Sequence, residues 1–247
     1  MTVESEIILE ANQVSLRDSL GLTEILKKIS FQIKSRDRVV IIGASGSGKT
    51  SLLRLLNRLV EATTGTLFFY RQPYTKIPVF NLRKQVVLVP QEPKFLGMTV
   101  KETLAYPLSL QQLPQSEIKA CITTYCEQLH LPESWYDKTE LQLSLGQRQL
   151  VTITRGLMMQ PKVLLLDEPT SALDIGIATR VIDVLKAQGI TVLMVNHQLD
   201  LAEKFCDRVF YLQQGELIKD VSNVNLNWQQ LKEELITSEQ EMEQEWT

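Results

Sequence analysis

Residues 43–50 read Gly43-Ala44-Ser45-Gly46-Ser47-Gly48-Lys49-Thr50, a fit to the pattern G-x-x-x-x-G-K-[ST]. Glycines let a backbone curl until successive N–H groups point inward, which makes a cradle for phosphate oxygens. The apolar run "VVIIG" leads into the cradle and a leucine-rich stretch leaves it, so a helix N-terminus adds partial positive charge. In that setting Lys49 would reach the β- and γ-phosphates of a nucleotide. The Thr50 hydroxyl would ligate Mg²⁺, and Ser51 could bond an α-phosphate oxygen. A chance glycine-rich turn would lack the strand before and the helix after.

Asp167 and Glu168 end the run "KVLLLDE". Carboxylates at the C-terminal end of a buried strand face the crevice where α/β sheets bind ligands. Adjacent side chains on an extended chain point apart, so two roles are natural. Asp167 would hold Mg²⁺ through water, and Glu168 would orient or deprotonate an attacking water. Alone, the pair is an ordinary polar turn before Pro169; beside a phosphate cradle it points to nucleotide hydrolysis. "VVLVPQ" and "VLMVNH" also end apolar runs on polar residues. If their strands neighbour the cradle strand, Gln91 could touch Mg²⁺ and the water, and His197 could hydrogen-bond the γ-phosphate. Taken singly, each is an ordinary strand-end residue. His130, the other histidine, reads as a loop-edge residue.

A second stretch also looks built to grip phosphate. In "LQLSLGQRQ", residues 141–149, Ser144 would cap a helix opened by "LGQRQLVTI". Ser144, Gly146 and Gln147 would then meet an anion at that helix N-terminus.

These residues need elements to place them. Apolar runs of strand length recur at 39–43, 86–90, 163–167 and 191–195, continuous rather than alternating. That pattern belongs to strands covered on both faces, in a mostly parallel sheet with helices on either side. Behind the cradle, Leu52, Leu55, Leu56 and Leu59 repeat at helical spacing. Residues 5–35 hold shorter, partly alternating strands and suggest an antiparallel flap. Residues from about 92 to 160 carry little strand signal and read as a helical subdomain inserted into the sheet domain. The sheet domain with its insert is thus expected over 1–227, with an acidic C-terminal helix or tail over 228–247. In that tail six glutamates face one lysine after Leu231, while Leu231, Leu235, Met242 and Trp246 share one face. A solvated helix docking weakly is the expectation, with a partner-binding helix as the alternative.

Hydrophobic residues make up 44% of the 247-residue chain and charged ones 22%, with a net charge of −3. That balance argues against nucleic-acid binding, which favours a basic face. No apolar run approaches the roughly 20 residues that span a bilayer, and "MTVESEIILE" lacks a signal-peptide pattern. Three cysteines without a CxxC pair (Cys121, Cys126 and Cys206) read as reduced thiols of a cytosolic protein.

In order, "GASGSGKT", Gln91, "LSLGQ", "VLLLDEP", "SALD" and His197 resemble the motifs of the ATP-binding cassette (ABC) ATPases over nearly the whole chain, to about Gly215. The resemblance implies a P-loop NTPase core with a β flap and helical insert, and ATP with Mg²⁺ as ligands. It implies that the signature motif of one subunit completes the nucleotide site of another. Ser144 and the Gly146 N–H would then bind the γ-phosphate held by a partner's Lys49, with Asp174 of "SALD" crossing the seam. ATP would close such a homodimer and hydrolysis would open it. The sequence departs from the family at Leu145, where a first glycine is usual, and at Leu150, where an arginine is usual. Hydrolysis is expected all the same. The aromatic that usually stacks on adenine is missing from "SLRDSLGL". Arg17 could stack there or simply stand in solvent, so weak discrimination between ATP and GTP is expected.

Likeness to the family also implies a partner: a membrane permease whose coupling helix docks near "EPKFLGMTVKETLAYPL", with Phe95 and Leu96 as candidate contacts. The chain would then be peripheral on the inner face of the cell membrane. "LPESW" and "PKVLLLDEPTSALD" look similar to small bacterial ATPases of the Fet iron-export type, with phosphate importers and lipid-handling cassettes open. The alternative from another class is a soluble cassette acting as an assembly scaffold, for example in iron–sulfur biogenesis.

Overall fold

The computed structural model describes residues 6–245, with side chains through Thr237. Two sheets share the chain. Strands β1 (Ile7–Arg17) and β2 (Glu24–Lys34) pair antiparallel, and β4 (Thr64–Phe69) and β5 (Gln72–Pro73) extend that sheet to the order β2-β1-β4-β5. This is the expected flap, but β1 and β2 run eleven residues each, longer than their mixed patterning suggested. Bulges interrupt their register, which explains the broken alternation.

The six-stranded sheet has the order β10-β9-β3-β8-β7-β6. Here β3 is Arg38–Ile42, β6 Val86–Val89, β7 Val163–Asp167, β8 Thr191–Val195, β9 Arg208–Gln213 and β10 Glu216–Ser222. All pairings are parallel except β9 with β10. Every residue of β7 and β8 is buried, because the sheet is covered on both faces. On one face the flap packs with α1 (Lys49–Leu56) around Leu26, Leu52, Leu53 and Leu56. Phe31 of the flap and Phe210 of β9 bring their rings within 5.2 Å. On the other face lie α5 (Leu145–Met158), α6 (Ile175–Ala187) and α7 (Leu199–Phe205).

Between β6 and β7 the chain forms α3 (Val100–Leu110), α4 (Gln115–Leu129) and then α5, so the region with little strand signal is helical. His130 is the left-handed C-cap of α4. Two expectations fail here and at α1. Phe95 is wholly buried, packed in the core that contains Val100, Leu104 and Leu150. A docking helix would have to displace it, whereas the adjacent Leu96 stands 76% exposed on left-handed backbone. Helix α1 ends at Leu56, so Leu59 lies beyond it and is exposed. Asn57 caps the helix and donates to the Val86 carbonyl; Arg58 turns left-handed and its guanidinium holds the carbonyls of Tyr74 and Ile77.

The C-terminal helix α8 (Trp228–Glu245) docks more firmly than its composition suggested. Leu231 is buried against the core, Trp228 and Leu235 pack beside it, and Lys219 pairs with Glu234 at 2.5 Å. The expected contribution of Met242 and Trp246 lies outside the described side chains. All three cysteines are free, and burial pushes the Cys206 thiol up to about 12. No helix among the described residues is long and apolar enough to cross a membrane.

Candidate functional site

The chain leaves β3 at Gly43 and enters α1 at Lys49, and the cradle fills the turn between. Gly43 has φ +150, and a Cβ there would sit 2.1 Å from the Leu212 carbonyl oxygen. Gly48, the N-cap of α1, has φ +101. Neither position admits a side chain, so the glycines are required by the path of the backbone as well as by a ligand. Lys49 bends back over the turn; its Nζ donates to the carbonyls of Gly43 and Ala44, both at 2.8 Å. Its charge is thereby held at the centre of the loop while the helix N-terminus faces the same space.

Thr50, next along, donates its hydroxyl to Asp167 Oδ1 at 3.1 Å. Asp167 closes β7 and is 4% exposed. Burial raises its carboxyl pKa above the ordinary range; the Thr50 hydrogen bond opposes that shift, Glu168 adds to it, and Arg54 and Lys49 oppose it. A buried carboxylate with a hydroxyl beside it is an oxygen donor set that suits a hard cation such as Mg²⁺.

Glu168 follows on left-handed backbone, φ +50, which turns its side chain out of the strand direction. Its two carboxylate oxygens are held separately. Gln91 Nε2 donates to Oε2 at 2.8 Å, and His197 Nε2 lies 3.1 Å from Oε1. The three residues come together because β6, β7 and β8 are consecutive parallel strands, and each ends just before one of them. Strand β8 does neighbour the cradle strand β3, as the reading of His197 required. Strand β6 does not: it lies beyond β7, and Gln91 reaches the site across Glu168. A cavity of about 300 Å³ opens over the cradle, lined by Ser45, Lys49, Thr50, Gln91, Glu168 and His197 among others. Gly46, Gly48 and Ser51 also line it. On its flap side stands Ile25, whereas Arg17 is exposed at the end of β1, in strand register with Glu24 of β2.

Of the expected residues, Gly43, Ala44, Ser47 and Asp167 lie behind the lining of that cavity, Arg17 does not reach it, and Ser144, Gly146, Gln147 and Asp174 stand apart from it. Ser144 is the N-cap of α5: its hydroxyl accepts from the Gln147 N–H at 3.2 Å, and the Gln147 side chain accepts from the Ser144 N–H at 2.9 Å. The capping box engages the N–H groups of Ser144 and Gln147, while those of Leu145 and Gly146, in the first turn, have no partner within the helix. Leu145 is half exposed, so its side chain does not bury the helix end. Asp174 caps α6 by accepting from the Ile177 N–H. The chain therefore carries two helix N-termini of interest, one at the cradle and one at Ser144, and the second does not line the cavity over the first. Leu150, at the position where an arginine is usual, is buried in the core.

Sequence reasoning missed the residues that brace these parts. Gln149, 1% exposed, donates to the Glu168 carbonyl at 2.7 Å and accepts from the Ala172 N–H at 3.2 Å. Thr170 donates to Gln198 Oε1 at 3.0 Å and accepts from Asn196 Nδ2 at 3.2 Å. The available signal was a lone glutamine facing inward on the same side of α5 as the core residues Ile153 and Leu157.

Comparison with known proteins bears on this geometry. The family model described as ABC transporter matches residues 26–171. The chain is 35% identical to the glutamine transport ATP-binding protein GlnQ of Geobacillus stearothermophilus, over 81% of its own length and 85% of that protein. It is 37% identical to the methionine import ATP-binding protein MetN of Francisella tularensis subsp. holarctica, over 78% of its own length and only 57% of that longer protein. Among solved structures, it superposes with a TM-score of 0.81 and 26% identity on a bacterial ABC transporter cassette determined as a dimer. That match covers 87% of this chain and 99% of the other. The same cassette has been determined in a post-hydrolysis state with ADP and Pi.

Proposed function

The chain belongs to the ABC transporter family as an ATP-binding subunit with ATPase activity, and from that premise we propose that two copies close head-to-tail around two ATP and drive a separate membrane permease. The observation that carries this reading is the separation of the two helix N-termini: the cradle holds Lys49 and Glu168, while the capped end at Ser144 lies outside its cavity. Neither end alone surrounds a triphosphate. In a head-to-tail pair each would face the other across the seam, and Asp174 would lie there as well.

In such a site the cradle N–H groups and Lys49 bind the phosphates, Lys49 exchanging its two carbonyl partners for phosphate oxygens. Thr50, Asp167 and the side-chain amide oxygen of Gln91 would supply oxygens for Mg²⁺. When bound, the ion would neutralise charge that builds up on the leaving phosphates. Gln91 and His197 orient the Glu168 carboxylate, and Glu168 holds the attacking water and takes up its proton. His197 is placed to turn from Glu168 to the γ-phosphate. Ser144 and the Gly146 N–H complete the grip from the other copy, with Gln147 fixing Ser144 as it does here. The cargo belongs to the permease. The expected iron cargo draws no support from the relatives above, whose names specify glutamine and methionine.

Complementation tests the composite site. A Lys49→Ala chain and a Ser144→Arg chain are each expected to lose hydrolysis. Mixed, they form one site with an intact cradle and an intact signature, and turnover returns to a measurable rate, with a ceiling of roughly a quarter of native for random pairing and independent sites. A mixture as inactive as its components would refute the proposal.

A further inference from the structure

We propose that Gln149 is a positioning residue through which the signature end of α5 governs Glu168 of the same chain. Its amide is buried, so no solvent competes for its hydrogen bonds. With one side chain it fixes both ends of the turn 168–172: the carbonyl of Glu168 at 2.7 Å and the N–H of Ala172 at 3.2 Å. The first of those residues sits on left-handed backbone and carries the carboxylate that meets Gln91 and His197. A second strut lies alongside. Gly146 approaches the Ala172 carbonyl oxygen so closely that a Cβ would stand 2.5 Å from it. Between Ser144 and Gln149, therefore, α5 touches the turn at three points and the two move together.

The turn is braced on its far side too. Thr170 bonds to Asn196 and Gln198, the residues on either side of His197. A displacement imposed at Ser144 is thus carried to Glu168 through Gln149 and on to His197 through Thr170. This inference rests on the composite-site reading above. If Ser144 grips the nucleotide held by the other copy, Gln149 connects that nucleotide to the Glu168 that acts on this copy's own. The two sites then report on each other, and hydrolysis depends cooperatively on ATP.

The test uses the full chain. Gln149→Leu removes both hydrogen bonds at similar volume. It should lower kcat about tenfold, the scale of one or two buried hydrogen bonds left unmade, and bring the Hill coefficient for ATP toward one. ATP binding should stay close to native. Gln149→Glu keeps the acceptor for the Ala172 N–H but opposes the Glu168 carbonyl with a carboxylate oxygen, and a protonated carboxyl would restore a donor. Its turnover relative to the native chain should therefore rise as pH falls, a response that a merely space-filling role would not produce. Native kcat and native cooperativity in Gln149→Leu would overturn the inference. If that variant does not fold, a flat pH ratio in Gln149→Glu would overturn it instead. The composite-site reading fails separately, if a Glu168→Gln chain stays monomeric in MgATP.

Discussion

Gly146→Ala sets two opposed effects against each other, and the structure decides their balance. Gly146 has ordinary right-handed helical backbone, so alanine faces no conformational penalty and by helix propensity alone would stabilise α5 by about 0.8–1.0 kcal/mol. Its Cβ, however, would stand 2.5 Å from the Ala172 carbonyl oxygen, about 0.5 Å inside the closest approach such atoms tolerate. Relief cannot come from a flexible side chain, because the obstacle is backbone held in place by Gln149. Overpacking of this kind costs about 1–3 kcal/mol, which exceeds the propensity gain over most of its range. The net is a loss of up to about 2 kcal/mol, or a midpoint lowered by as much as roughly 8 °C at 2–4 °C per kcal/mol for a chain of this size. Hydrolysis should fall with it, although the position 146 N–H that would meet phosphate is retained. Thermal unfolding without nucleotide, with ATPase rates alongside, measures both. A midpoint raised by roughly 2–4 °C would mean that the full propensity gain was realised and the contact is soft, and the reasoning would be wrong.

Asp167→Asn should stabilise the nucleotide-free chain while abolishing Mg²⁺-dependent hydrolysis. Burial raises the folded-state pKa of Asp167, so its charged form opposes folding: the stability is present at acid pH and lost as pH rises through the raised value. The variant's advantage in unfolding midpoint should accordingly grow from acid to neutral pH and then level off; an advantage independent of pH would contradict the assignment. Leu231→Ala should cost roughly 2–5 kcal/mol of the docking of α8, seen as faster amide exchange in that helix, and unchanged protection would show that Leu231 does not anchor it.

The parts of the fold that were legible in the sequence are those with continuous apolar strands. The strands β3, β6, β7 and β8 bury both faces, and their runs stand out; the cradle and the carboxylate pair are local patterns attached to them. Strand β10 was not singled out, because it is antiparallel, alternating and half exposed; β9 was missed although Val209–Leu212 is a continuous buried run parallel to β3. Phe95 looked like a surface contact because a lone aromatic in a loop gives no sign of which way it faces; only the packing of Val100 and Leu104 beneath it decides that. Leu59 continued a helical period that Asn57 and Arg58 end through bonds to distant carbonyls. Gln149 shares the helical spacing of Ile153 and Leu157, but its role was hidden for a similar reason. Its partners lie 19 and 23 residues away on another element, and local sequence does not encode which polar side chain of a helix will be buried.

The most direct measurement is sedimentation of the Glu168→Gln chain with and without MgATP. Removing the base should slow hydrolysis by about 10²–10⁴-fold while leaving the cradle and the Ser144 end intact, so nucleotide bound at the seam persists. A species of twice the monomer mass is predicted with MgATP and monomer without it, the dimer being lost again when Ser144→Arg is added. Monomer alone under saturating MgATP would contradict the composite site on which the proposed function stands.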